Sequence, residues 1–215
     1  MQFLYETVAT LWGYPLSVLE LVGVLTGLTA VVFASKAWAV NFLFGVVNAV
    51  VYFMLYFEFR LYSMMLLQLV YLSFSIYGFY HWKHPDKAQE DQNKELKISF
   101  LTWKMRWMYV ALIFILGAAW GWSVIHFQAT FPDYFAPPAY PWLDAILTMA
   151  SVVGQWLLSK KVWENWVIWL VVDAISTLLF FHMGMIFTAL LYALFTLIAI
   201  KAMIDWKKIY EKSER

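Results

Sequence analysis

The sequence predicts an all-α integral membrane protein, with seven transmembrane helices arranged as two parallel three-helix bundles joined by a linker helix. Three observations carry this. First, 63% of the 215 residues are hydrophobic and only 13% are charged, whereas soluble domains run near half apolar and a quarter charged. Second, seven apolar stretches approach the ~20 residues that a spanning helix needs: about 16–34, 38–57, 61–82, 106–126, 141–159, 163–182 and 184–205. Third, the second and sixth stretches share a spaced pattern, which marks the chain as a repeat of three helices on either side of the fourth. Strands are not expected in these stretches, because a lipid-facing barrel would alternate with period two.

Taken in order, residues 1–15 read as an outer-face segment, a short helix ending near Pro15. They lack Lys and Arg, so a cleaved signal peptide is not expected. Residues 16–82 form the first bundle. Residues 83–140 hold a cytoplasmic linker that mixes Lys with Asp86, Glu90, Asp91 and Glu95, then the linker helix (106–126), then an outer loop; residues 127–141 hold four of the six prolines. Residues 141–206 form the second bundle, and 207–215 a cytoplasmic tail. The Gly23/Gly27 pair, Gly117 and Gly121 read as points of close helix packing.

Loop charge sets the orientation. Fourteen basic residues fall on one side, including Lys36, Lys83, Arg106, Lys160, Lys161 and Lys207, and Arg60 alone falls on the other. The positive-inside rule puts the N-terminus outside and the C-terminus in the cytoplasm.

In the repeat, Lys36, Trp38, Asn41, Phe44, Asn48 and Tyr52 recur at the same intervals as Lys161, Trp163, Trp166, Trp169, Asp173 and Thr177. Glu20 answers Asp144 and Trp82 answers Trp206, with a gap of one residue between the two registers. Parallel repeats of this kind occur in transporters with midplane substrate sites.

Polar groups at bilayer depth are costly and usually functional. Asp173 lies halfway along the sixth stretch, and Trp166, Trp169, Asp173 and Thr177 share one helical stripe. Asn41 and Asn48 share a face of the second stretch. Gln68 leads a stripe in the third with Tyr71, Ser75, Gly78 and Trp82. For Asn48 and Gln68 the competing reading is an interhelical hydrogen bond; for Asp173 it is a structural pair with a Thr or Trp donor. Indole faces, amides and one carboxylate suit a flat, polar, cationic ligand.

Enzyme chemistry is not expected. There is no Cys, and HExxH, GxSxG, P-loop and GxGxxG patterns are missing. His81 and His84 with Asp86 read as surface residues rather than a metal site. No catalytic residue, metal, cofactor or nucleic-acid partner is predicted. A seven-helix photoreceptor would need a Lys midway along the last helix, and Lys201 lies near its cytoplasmic end instead.

Leu61 to Trp82, LYSMMLLQLVYLSFSIYGFYHW, together with Trp166, Trp169 and Asp173 and with Leu191-Tyr192, resembles the PnuC-type transporters of nicotinamide riboside. The resemblance spans about 20–208. It implies a fold like that of sugar-transporting SWEET proteins, a bacterial inner membrane location and a homo-oligomer, a trimer. It also implies uptake of nicotinamide riboside by facilitated diffusion, through alternating access. Substrate contacts are then expected at Asn41, Asn48, Gln68, Trp166, Trp169, Asp173 and Tyr192. The alternatives are proton-coupled uptake through Asp173, and transport of a sister vitamin such as thiamine or riboflavin.

Overall fold

The computed structural model describes residues 7–11, 14–58, 62–90, 95–131 and 140–213. The seven expected helices are present: α1 (Val18–Ser35), α2 (Asn41–Glu58), α3 (Tyr62–Lys83), α4 (Trp103–Thr130), α5 (Pro141–Ser159), α6 (Asn165–His182) and α7 (Ile186–Ser213). Five are long and apolar enough to cross a membrane, namely α1, α4, α5, α6 and most of α7. Of the remaining two, α2 is a shorter apolar helix. Helix α2 holds Asn41, Asn48 and Glu58, and α3 holds Gln68, several tyrosines and His81.

The N-terminal segment corrects one expectation. Instead of a short helix, Thr7–Leu11 (β1) and Tyr14–Ser17 (β2) form an antiparallel pair. Tyr14-Pro15 suits an edge strand, because proline has no N–H to give a ladder. Ser17 then starts α1 through a capping box: its hydroxyl accepts from the Glu20 N–H, and the Glu20 carboxylate accepts from the Ser17 N–H.

Helix α7 also runs past its expected end. It has 28 residues, about 42 Å at 1.5 Å per residue, against a hydrocarbon core of about 30 Å. Its last turns, from Asp205 through Lys207 and Lys208, are charged yet continue the helix.

By contact the chain divides into two compact units. One comprises Met1–Ile98 with Ser159–Lys161 and Lys201–Arg215; the other comprises Ser99–Leu158 and Val162–Ile200. In the first, α2 packs on both α1 and α3, around Leu19, Val51 and Leu55. Gly23 matters here, because a Cβ would lie 3.1 Å from the Tyr52 ring. In the second, Leu101, Ile113, Val153, Leu157, Val162 and Val172 form the core. Helix α4 approaches α5 closely, since a Cβ on Gly117 would lie 3.1 Å from the Ile146 backbone. The glycines read as packing points in the sequence therefore serve that role.

Four of the six paired helix boundaries recur 124 residues later, with no gap: Ser35 and Ser159, Asn41 and Asn165, Glu58 and His182, Tyr62 and Ile186. The connecting turns match too. Ala37 (φ 57) and Lys161 (φ 54), in register, are the two non-glycine residues with positive φ among those described. The one-residue gap inferred within the second and sixth helices is thus corrected. In the structural register Gln68 answers Tyr192 and Trp82 still answers Trp206, whereas Asp173 answers Ala49, Trp169 answers Gly45 and Asn48 answers Val172.

Candidate functional site

Helix α6 begins where the Lys161 turn reverses the chain. Asn165 is fully buried and its Nδ2 donates to the Val162 carbonyl at 2.6 Å. Asn41, its counterpart, is also buried and donates to the Trp38 carbonyl at 2.7 Å. In both triplets an asparagine therefore fastens the turn that launches the second helix, three residues back. One of the two amide protons of Asn41 is used on that turn. The Oδ1 of Asn165 is buried with no hydrogen-bond partner among the described residues.

The start of α6 is also tied to the segment that leads into α4. The buried Glu164 carboxylate accepts from the Leu101 N–H at 3.0 Å and from Arg106 Nε at 2.9 Å. The Trp163 N–H donates to the Ser99 carbonyl, and the Phe100 ring stacks on Trp163. Trp163 thus belongs to this strap.

Farther along α6, Trp166 and Asp173 are buried, and Trp169 and Thr177 are half-buried. The Thr177 hydroxyl donates to the backbone carbonyl of Asp173 at 2.7 Å, so it serves its own helix. The Asp173 carboxylate is only 6% exposed and has neither an ion-pair nor a hydrogen-bond partner among the described residues. A carboxylate taken out of water without a partner is costly. The Trp169 indole comes close to α5 because Gly154 has no side chain; a Cβ there would sit 3.3 Å from Trp169 Cε2. Ser176, buried one turn beyond Asp173, completes this face and was not singled out in the sequence.

Tyr192 on α7 packs against Phe180 at 5.2 Å and edge-on against Phe195 at 6.0 Å between ring centroids. The described residues thus bring Trp166, Trp169 and Asp173 to one helix of the second unit, with Tyr192 in the same unit.

In the first unit, Gln68, Ser75, Gly78 and Trp82 are all buried, so the expected stripe is the inward face of α3. Gln68 makes no hydrogen bond among the described residues. Asn48 differs. Its Nδ2 donates to the Gly23 carbonyl at 2.7 Å and to Thr26 Oγ1 at 3.2 Å. Both protons of that amide are used to join α2 to α1, as the competing reading of Asn48 foresaw. Gly27 makes room for it, since a Cβ there would lie 3.1 Å from the amide nitrogen. Among the described residues no His, Cys, Asp or Glu cluster could hold a metal ion.

This geometry has relatives. Residues 17–208 match the family described as Nicotinamide mononucleotide transporter. The chain is 29% identical over 212 residues to the nicotinamide riboside transporter PnuC of Escherichia coli (strain K12), covering 90% of this chain and 87% of that one. It is 27% identical over 140 residues to the riboflavin/roseoflavin transporter RibM of Streptomyces davaonensis, covering 65% of this chain and 61% of that one. Its fold is similar to the crystal structure of the vitamin B3 transporter PnuC, with a TM-score of 0.65 and 25% identity over 91% of this chain and 83% of that one.

Proposed function

The chain belongs to the nicotinamide mononucleotide transporter family, and from that premise we propose that it carries nicotinamide riboside across the bacterial inner membrane by facilitated diffusion. The two helix triplets are parallel repeats about the linker helix α4, and they expose the substrate to each side in turn. The N-terminus is outside and the basic helix ends are cytoplasmic. The functional unit is a homo-oligomer.

One observation supports the substrate site most: Gln68 and Asp173 are buried, polar and without protein hydrogen bonds among the described residues. Groups placed this way are stable when a ligand completes them. Nicotinamide riboside offers complementary chemistry, namely a cationic aromatic ring, a carboxamide and ribose hydroxyls. Trp166 and Trp169 take the ring face, Gln68 reads amide or hydroxyl groups, and Asp173 balances the ring cation or accepts from ribose. Tyr192 is a further substrate contact. Asn48 can add only its carbonyl oxygen, because both of its amide protons join α2 to α1, whereas Asn41 can add its carbonyl oxygen and its second amide proton.

The test is uptake of labelled nicotinamide riboside into liposomes containing the purified protein. Uptake should level off at the outside concentration and should ignore a protonophore. Accumulation above that concentration, abolished by the protonophore, would instead establish proton coupling through Asp173. A second reading, riboflavin transport, is favoured by the similarity to RibM. Uptake of riboflavin with none of nicotinamide riboside would decide for it.

A further inference from the structure

The two fully buried tryptophans of the first unit, Trp82 on α3 and Trp206 on α7, have 0% exposure and meet edge to face at 5.9 Å between centroids. They are also each other's counterparts in the repeat. The contact joins α3 to the last turns of α7 within the first unit.

The surroundings are built to hold it. Trp206 Nε1 donates to the Ala34 carbonyl at 3.0 Å, fully buried, at the last turn of α1. The Lys161 ammonium lies 4.6 Å from the centre of the Trp82 ring, and Lys161 is only 3% exposed. The Phe42 ring meets Trp82 edge-on at 5.0 Å. Gly78 makes room for Phe42, since a Cβ there would fall 2.5 Å from its ring. The plug thus draws on α1, α2, α3, α7 and the α5–α6 turn, all at the helix ends that carry the lysines.

We propose that Trp82 and Trp206 are the gate on the basic, cytoplasmic side, closed in this structure, and that release of substrate to the cytoplasm requires them to part. They are transport residues that never touch the substrate. The proposal rests on the carrier reading and on its orientation.

The protein contains no cysteine, which permits a clean probe. Ala202, one turn before Trp206 on the same face, is 0% exposed. In Ala202→Cys protein, a charged maleimide applied from the cytoplasmic side should react slowly. Adding Trp206→Phe keeps an aromatic ring but removes the indole N–H. Losing one hydrogen bond of about 1 kcal/mol should raise the open fraction, and with it the labelling rate, about fivefold. The affinity for nicotinamide riboside should stay within about twofold of the parent, while the exchange rate across liposomes changes. Lys161→Gln, which removes the cation from Trp82, should accelerate labelling in the same direction. Equal labelling rates in all three backgrounds, with each variant folded by thermal melting, would overturn the gate. So would a loss of affinity that matches the change in exchange rate. If the carried vitamin proves different, uptake fails for nicotinamide riboside while the labelling result stands.

Discussion

Replacing Asn48 by alanine separates structural from ligand chemistry on α2. Its amide donates to the Gly23 carbonyl at 2.7 Å and to Thr26 Oγ1 at 3.2 Å. Neither acceptor is orphaned by the change, because the Thr26 hydroxyl also donates to the Val22 and Gly23 carbonyls. The cost is then two interhelical hydrogen bonds, each averaging about 0.6 kcal/mol in membrane proteins, so roughly 1–2 kcal/mol in all. For a chain of this length, that is a fall in melting temperature of about 2–8 °C. The assay is thermal melting of the detergent-purified protein beside calorimetric titration with nicotinamide riboside. Melting should fall by that amount while the dissociation constant changes less than about threefold, under 0.7 kcal/mol. Unchanged melting with affinity reduced more than tenfold would refute the reasoning and return Asn48 to the substrate.

Other expectations follow from the same geometry. Gly154→Val should push the Trp169 indole off α5 and weaken binding; affinity equal to the parent's would mean that ring is not a ligand platform. Trp169→Ala should forfeit one ring contact of about 0.5–2 kcal/mol, or roughly 2- to 30-fold in affinity by titration. Glu164→Ala leaves the Leu101 N–H and the Arg106 guanidinium without their acceptor, so melting should fall by several degrees with affinity kept. Loss of binding without loss of stability would place Glu164 in the substrate's path instead.

Much of the fold was legible because lipid demands long apolar helices, and such helices show in composition alone. The ends of α1, α2, α3, α5 and α6 lie within a few residues of their expected places. The end of α7 was not legible, because charged turns beyond the membrane continue a helix that hydropathy no longer marks. The hairpin at Thr7–Ser17 escaped for a related reason: a short segment of mixed polarity gives no strong period. The spacing read in α2 and α6 is offset by one residue from that of the helix ends, since tryptophan spacing pulled the alignment away from the turns. Positive φ at Ala37 and Lys161 fixes the register, and neither residue is a glycine that would have announced it. In the candidate site, the depth of Gln68 and Asp173 was readable as polarity inside an apolar run. Whether an amide is already spent depends on a partner such as Gly23, 25 residues away for Asn48, and no spacing rule shows that. The strap from Glu164 to Leu101 and Arg106 was missed for the same reason.

The account stands most directly on Gln68 as a ligand contact. Calorimetric titration of Gln68→Ala with nicotinamide riboside measures it, with melting as the control. Removing a buried hydrogen-bonding partner of the ligand costs about 1–3 kcal/mol, so the predicted result is affinity lowered roughly 5- to 150-fold in a protein that melts like the parent. Affinity within twofold of the parent would contradict the account.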